Sequence, residues 1–182
     1  MHVQSFPPIV NKEARILIAG TAPSVKSLEK HQFYGHPQNY FWRIMYGLLA
    51  EADRKHTGPN EPYEDRVAFL LQHRIALWDV IATCKRQGSL DVNIKEEQPN
   101  NIPLLLEQYP AIRCVAFNGT KAYSTFKRYF SNYISDGSIT LLQLPSSSPI
   151  PTKYMRSLED RLAAWSVLLP YLKDEYESAV EK

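Results

Sequence analysis

The chain has 182 residues, of which 44% are apolar and 22% charged, and its formal net charge is +2. This length and composition predict one soluble globular domain over residues 1–182, and the small charge permits a nucleic-acid partner without demanding one. No apolar run approaches the roughly 20 residues of a membrane span, and the N-terminus lacks the basic and apolar regions of a signal peptide, so we expect a cytoplasmic protein.

Four mostly apolar runs are predicted to form β-strands. In chain order they cover residues 15–19, 75–79, 112–117 and 139–144. Their side chains do not alternate between polar and apolar, which is typical of strands that are covered on both faces.

Apolar residues at helical spacing predict helices between these strands. The predicted helices cover residues 41–49, 67–71, 102–108 and 121–129, and a long apolar stripe predicts a final helix over 154–172. Pro103 falls near a helix start, where proline is tolerated. Residues 51–64 and 86–99 are predicted to be loops.

The alternation of strands and helices predicts an α/β fold with three layers, α/β/α, around a central, mostly parallel four-stranded sheet. In such folds ligands bind beyond the carboxyl ends of the strands. The four predicted strand ends lead into residues 20–24, 80–83, 118–120 and 145–150. Three of these segments carry small polar residues in turn-forming sequences, so we expect one site at this edge of the sheet.

The cysteines and histidines give no sign of a metal or cluster. Cys84 and Cys114 are too few for a four-cysteine iron–sulfur cluster within one chain, and Cys114 lies in an apolar run, where it is expected to be a small buried hydrophobe. His31 and His36 stand beside no cysteine or acidic cluster, unlike the ligands of a zinc site. We therefore expect no metal and no cofactor.

The strand-end loops lack the glycine patterns of dinucleotide and triphosphate sites. Residues 145–150 offer three serine hydroxyls between two prolines and form either an ordinary turn or a rigid loop that grips phosphate. Lys153 and Arg156 follow this segment and favour contact with an anion. Asn118 begins a simple turn signal, but at a strand end its amide can pair with the edge of a nucleobase.

A second group of candidates lies in residues 34–42, YGHPQNYFW. Asn39 stands just before a predicted helix, where asparagine is most often an N-cap. Tyr34 is either a core or surface residue or a platform for base stacking. His36 is either a hydrogen-bonded loop residue or an acid. The local sequence leaves these alternatives open.

Three segments together resemble motifs of the uracil-DNA glycosylase superfamily. They read GTAPS at residues 20–24, YGHPQNYFW at 34–42 and LPSSSPI at 144–150. In order and placement they resemble its G-x-x-P-[GS], [FY]-x-[HG]-P-x-N-x-F-W and P-S-x-S motifs. The resemblance covers almost the whole chain and is strongest to two branches, the mismatch-specific uracil/thymine glycosylases and the hypoxanthine-DNA glycosylases.

One position favours the hypoxanthine branch. In the uracil/thymine branch the third residue of the first motif is usually an asparagine that places the hydrolytic water, whereas this chain has Ala22, which cannot polarise water. The hypoxanthine branch also lacks that polar residue and uses the asparagine of the H-P-x-N stretch, here Asn39. The resemblance therefore implies a DNA glycosylase that favours hypoxanthine and holds its water with Asn39.

The resemblance also implies roles for the other candidates. His36 and backbone N–H groups of the first loop, residues 20–24, would stabilise the leaving base. An Asn118 amide of fixed orientation would accept hypoxanthine and reject adenine, and Ile150 would fill the gap that the flipped base leaves in the duplex. The base-binding residues would be Gly20, Thr21, Ala22, Tyr34 and Asn118. The DNA-binding residues would be Pro145, Ser146, Ser147, Ser148, Ile150, Lys153 and Arg156.

Several alternatives remain at this point. Asp79 is a rival for placing the water, although a buried hydrogen-bonded carboxylate is the simpler interpretation, and Asp91 is most simply a cap or turn residue. No lysine is placed to form a Schiff base, so we expect a monofunctional enzyme. We also expect a monomer, with damaged DNA as its partner. The alternative functions are a mismatch-specific uracil-DNA glycosylase, a catalytically silent lesion-binding protein and a small-molecule nucleoside hydrolase.

Overall fold

The structure, a computed structural model, describes residues 1–50 and 60–174, except for the side chains of 134–136. The predicted loop over 51–64 therefore lies largely outside the described residues, and its last two positions already belong to a helix. The strands are β1 His2–Gln4, β2 Ile16–Gly20, β3 Ile75–Asp79, β4 Ile81–Lys85, β5 Lys95–Pro99, β6 Cys114–Asn118 and β7 Thr140–Leu144. The α-helices are α1 Val25–Lys30, α2 Phe41–Leu49, α3 Tyr63–Gln72, α4 Ile102–Gln108, α5 Thr120–Phe130 and α6 Leu158–Trp165.

The central sheet has four parallel strands in the order β3-β2-β6-β7. The four predicted strands are confirmed, with bounds that differ by at most two residues. Both central strands, β2 and β6, are buried at every position. The register pairs Gly20 with Asp79 and Asn118 with Leu144, so the carboxyl ends of the strands meet at one edge.

The two faces of this sheet carry separate cores. Along β2, Ile16 and Ile18 belong to the core that includes α2, α3 and α6, whereas Leu17 and Ala19 belong to the core that includes α4 and α5. Successive side chains of a strand point to opposite faces, which is why one strand serves both cores. The three-layer α/β/α architecture is confirmed.

A second, antiparallel sheet corrects the prediction that residues 86–99 form a loop, and its strand β4 includes most of the strand-end segment 80–83. Its strand order is β1-β4-β5. β5 has the sequence KEEQP and is largely exposed, so it carries no apolar pattern, and its extended conformation comes from pairing with β4. This sheet brings the segment after β4 back to the carboxyl edge of the central sheet.

The predicted helices are confirmed except at the C-terminal end, and α1 is an addition. α6 ends at Trp165 and continues as a 3-10 helix, Ser166–Leu172, which contains Pro170. A regular helix is disfavoured there because proline has no backbone N–H to donate. Tyr154 lies before α6 and is 72% exposed, so the final helix is shorter than predicted. The six residues of α1 are too few to show a helical stripe.

Within residues 1–50 and 60–174 no helix is long and apolar enough to cross a membrane. In the same ranges no three His, Cys, Asp or Glu side chains are grouped as metal ligands would be. Both cysteines are free and buried, and the predicted burial of Cys114 in a strand is confirmed.

Candidate active site

A cleft of about 500 Å³ opens at the carboxyl edge of the central sheet. This volume lies within the range of about 300–1,000 Å³ that is usual for ligand sites. Segments that follow β2, β3, β4, β6 and β7 line it, together with residues from the YGHPQN stretch. The predicted residues that line the cleft are Gly20, Thr21, Ala22, Tyr34, His36, Asn39, Asp79, Asp91, Asn118, Ser146, Ser147, Ser148 and Ile150.

Gly20 forms a floor to the cleft where no side chain would fit. A Cβ atom at this position would lie 2.7 Å from Asp79 Oδ1 and 3.0 Å from the Tyr34 hydroxyl oxygen. These two polar groups therefore approach the backbone of the first loop directly. The glycine of the first motif is explained by this close approach rather than by an unusual backbone angle.

Asp79 is a buried carboxylate, 5% exposed, at the end of β3. Ser5 Oγ donates to its Oδ2 over 3.3 Å, and Asn100 Nδ2 donates to its backbone carbonyl over 2.8 Å. Burial raises the pKa of Asp79 to about 7, against the opposing effects of the Ser5 hydrogen bond and of the Arg86 charge. A neutral and an ionised form are therefore both accessible at this position near neutral pH.

Tyr34 combines a left-handed backbone with a stacked ring. Its φ is +52°, which is uncommon for a residue other than glycine, and its ring stacks on Phe41 with centroids 3.9 Å apart. The hydroxyl lies near Asp79 and Asn118 but makes no regular hydrogen bond within the described residues. Burial raises the pKa of Tyr34, so this hydroxyl stays protonated and available as a donor.

Asn39 faces the cleft and lies one residue before Tyr40, the N-cap of helix α2. Its Oδ1 accepts the Phe41 backbone N–H over 2.9 Å, which fixes the orientation of the amide because a backbone N–H can only donate. An amide oxygen has two lone pairs, so one acceptor position remains. The N-cap predicted at Asn39 falls on Tyr40 instead, and the hydrogen bond between Asn39 and the helix start is compatible with the predicted catalytic role.

His36 presents a donor to the site. Its Nδ1 accepts the Gln38 backbone N–H over 3.2 Å, so a neutral ring carries its proton on Nε2. His36 and Asn39 also line an adjoining groove of about 650 Å³, whose walls include Lys30, Arg43 and Arg66. The YGHPQN stretch thus separates two neighbouring depressions.

The amide of Asn118 is locked by Ser147. Ser147 N–H donates to Asn118 Oδ1 and Asn118 Nδ2 donates to Ser147 Oγ, both over 2.8 Å. Both partners belong to one serine. The Ser147 N–H and Oγ therefore bind the edge of the Asn118 amide on which Oδ1 and one N–H lie side by side. The two-point reading of a base by Asn118 stays a prediction, and with Ser147 in place one N–H of the amide remains for a ligand.

Ser147 also corrects its own predicted role. It is 1% exposed, and its carbonyl accepts the Tyr40 backbone N–H over 2.9 Å. The residue thus connects the strand-end Asn118, the start of α2 and the serine loop, residues 145–150, and its hydroxyl oxygen accepts from Asn118. It positions the site instead of facing phosphate.

Two side chains of α6 hold the rest of the serine loop in place, a role that the sequence did not indicate. Arg161, 1% exposed, donates to the Ser148 carbonyl over 3.0 Å, and Trp165 Nε1 donates to the Pro145 carbonyl over 2.9 Å. Ser146 and Ile150 are exposed at the mouth of the cleft. A rigid loop with an exposed apolar tip is the result.

The two predicted DNA-binding cations lie on the surface beyond the loop. Lys153 and Arg156 are both exposed, and the Lys153 ammonium stands 5.1 Å from the centre of the Tyr154 ring. Neither residue lines the cleft. Their position is compatible with contact to a backbone that runs past the cleft mouth.

Arg86 is a cleft residue that the sequence analysis missed. It follows β4, is 2% exposed, donates to the Pro23 carbonyl and lies 3.9 Å from Asp91 Oδ1. Thr21 Oγ1 donates to the other oxygen of Asp91 over 3.4 Å. Asp91 does begin a 3-10 helix, as a turn residue would, but its carboxylate also faces this buried cation. A sequence signal for this group was available, because Asp79, Arg86 and Asp91 carry opposite charges within one short stretch.

Comparison with known proteins agrees with this architecture. A family model described as the Uracil DNA glycosylase superfamily matches residues 7–169. A solution NMR structure of a Methanosarcina acetivorans protein assigned as a uracil DNA glycosylase superposes with a TM-score of 0.75 at 31% identity, covering 94% of this chain and 99% of that one. The chain belongs to the uracil DNA glycosylase superfamily.

Two curated relatives are similar to this chain and share one name. A Hypoxanthine DNA glycosylase of Methanosarcina barkeri is 35% identical over 168 residues, which cover 91% of this chain and 97% of the relative. A Hypoxanthine DNA glycosylase of Methanosarcina acetivorans is 37% identical over 119 residues, 65% of this chain and 72% of that protein. The predicted resemblance to the superfamily is confirmed, and both relatives bear the name of its hypoxanthine branch.

Proposed function

We propose that this protein is a monofunctional DNA glycosylase that hydrolyses the bond between hypoxanthine and deoxyribose in DNA. The observation that carries the proposal is the single cleft that brings Asn39, His36, Tyr34 and Asn118 together around Gly20. The superfamily membership and the names of the two relatives support it. The base enters the cleft by leaving the helical stack, because its glycosidic carbon is unreachable inside a duplex.

Asn39 holds the hydrolytic water in this mechanism. Bond breakage builds positive charge on the sugar, and such a cation does not require a strongly basic nucleophile. The free lone pair of Asn39 Oδ1 is sufficient to position a water, while its other lone pair stays on Phe41 N–H. Ala22 lines the same cleft and has no polar atom with which to share this task.

The leaving base is stabilised by fixed donors. The Nε2–H of a neutral His36 and backbone N–H groups at residues 20–22 meet the negative charge that develops on the base, as in an oxyanion hole. Tyr34 supplies the aromatic platform. The remaining N–H of Asn118 donates to O6 of hypoxanthine, and it faces the amino group of adenine with another donor, which disfavours that base.

The surface around the cleft binds the DNA backbone. Pro145, Ser146 and Ser148 form a rigid loop for the phosphates, and Lys153 and Arg156 extend the contact along the strand. Ile150, 58% exposed beside the cleft, is suited to enter the space that the flipped base vacates. We also propose that the protein acts as a monomer in the cytoplasm, and that one domain carries the activity without metal or cofactor.

The deciding experiment measures base release from duplexes that contain hypoxanthine, uracil, xanthine or ethenocytosine, with undamaged adenine as the control. Release of hypoxanthine and retention of adenine are the expected results. Release of uracil alone would identify a mismatch-type uracil glycosylase, and binding without release a silent lesion binder. Equal cleavage of free deoxyinosine and of hypoxanthine in DNA would instead indicate a nucleoside hydrolase.

A further inference from the structure

Arg86 is a buried cation that makes few hydrogen bonds to the residues that the structure describes. Its side chain is 1% exposed, yet the residue contributes to the wall of the cleft. One terminal nitrogen donates to the Pro23 carbonyl, whereas the other lies 3.9 Å from Asp91 Oδ1, beyond hydrogen-bond distance. Nε is buried and has no partner among the described residues.

Burial with so few hydrogen-bond partners is unusual for this side chain. A guanidinium offers five N–H donors in a rigid planar fork, and buried donors in folded proteins nearly always find an acceptor. The side chain is nevertheless held in place, since Pro23 and the Thr21–Asp91 pair approach it from the first loop and from the segment after β4. A ligand with two adjacent acceptors would complete the fork.

Hypoxanthine carries such a pair of acceptors. Its O6 and N7 lie side by side on one edge, as they do in guanine, and an arginine fork on these two atoms is the commonest specific contact to guanine. Adenine has an amino group in place of O6. Uracil has no atom equivalent to N7.

We propose that Arg86 recognises the O6 and N7 edge of a 6-oxopurine that has flipped into the cleft. This inference rests on the proposed function and adds a specificity-determining residue to it. O6 has two lone pairs, so the remaining Asn118 N–H takes one and the Arg86 fork takes the other. A 6-aminopurine would oppose both fixed donors with N–H groups of its own, and a pyrimidine would leave the fork half empty.

The alternative role for Arg86 is support of the first loop through the Pro23 carbonyl. If Arg86 only supports the loop, its replacement would weaken binding of every base by a similar factor. If Arg86 recognises the base, its replacement would weaken binding only of bases that carry N7. The two roles are therefore distinguished by changing the base and the residue together.

The experiment measures binding of the full chain to fluorescent duplexes by anisotropy. One duplex carries 2′-fluoroarabino-hypoxanthine, in which the fluorine slows cleavage, and the other carries the 7-deaza form, in which C–H replaces N7 and O6 is retained. We expect the wild type to prefer the N7-containing duplex by about tenfold or more. Arg86→Lys keeps the charge but loses the fork, and we expect the preference to disappear.

Arg156→Lys is the matched control, because it makes the same change at an exposed arginine. It should weaken both duplexes equally and leave the preference intact. Equal binding of the two duplexes by the wild type, or a preference that survives Arg86→Lys, would overturn the proposal. If Arg86→Lys does not fold, Arg86→Gln takes its place, because the amide keeps a polar side chain at this position but loses the fork. Hypoxanthine release from an unmodified duplex is measured in parallel: its absence refutes the proposed function, whereas release without an N7 preference refutes only the role of Arg86.

Discussion

Replacement of Asn39 by alanine separates catalysis from support of the start of α2. The change removes the Oδ1 that accepts Phe41 N–H over 2.9 Å together with the lone pair that is proposed to hold water. Loss of a side-chain hydrogen bond at a helix start costs about 0.5–2 kcal/mol of unfolding free energy. For a chain of this size, each kcal/mol corresponds to a fall in Tm of about 2–4 °C.

The catalytic loss should be larger than this structural loss. Removal of a group that acts in the transition state lowers turnover by about a hundredfold or more, which is about 2.7 kcal/mol of activation free energy. The assay is single-turnover release of hypoxanthine with enzyme in excess, so that binding and product release do not limit the rate. A thermal melt of the same sample gives the folded fraction.

Asn39→Asp is the matched variant, because a carboxylate oxygen can still accept Phe41 N–H and orient water. We expect it to retain the wild-type Tm and more activity than Asn39→Ala. Asp79→Asn tests the rival residue at the end of β3. A folded Asn39→Ala protein with a rate within about threefold of the wild type would refute the assignment, and a larger loss in Asp79→Asn would transfer the role to Asp79.

Three further outcomes are expected. Burial raises the pKa of Asp79 from 3.8 to about 7, so the folded state binds this proton more tightly than the unfolded state. The resulting stabilisation is complete below about pH 4 and is lost as the pH rises through about 7. Urea unfolding across this range should show a fall in the free energy of unfolding of the wild type that is smaller in Asp79→Asn. Ile150→Ala, at an exposed site, should slow release of a paired base more than of an unpaired one, and equal slowing in the two substrates would argue against a wedge. Replacement of both Lys153 and Arg156 by alanine should lower the slope of log affinity against log salt by about one per lost phosphate contact, as measured by titration at several salt concentrations, and an unchanged slope would place them away from DNA.

The central sheet was predictable because its information is local. Runs such as ILIAG in β2 are apolar at nearly every position and are buried at every position, and the sequence between them has helical spacing. Strands that are covered on both faces must be apolar throughout. The same logic places the strand-end loops at one edge, which predicts that Gly20, Asp79 and Asn118 lie close together.

The second sheet was not predictable in the same way. β5 is polar and exposed, and nothing in KEEQP distinguishes a strand from a loop. Its conformation depends on backbone hydrogen bonds to β4, whose register shifts twice along the pair. Pairing between segments that are separated in the chain is a tertiary property that leaves no periodic trace in either segment.

The residue types of the site and their order along the chain can be read from the sequence. How each polar atom is used depends on the tertiary structure. Ser147 takes the paired edge of the Asn118 amide, and Arg86 turns inward to the cleft although a charged residue after a strand is usually exposed. The physical reason is that hydrogen bonds are short and directional, so the free donors and acceptors of a site depend on neighbours from distant parts of the chain.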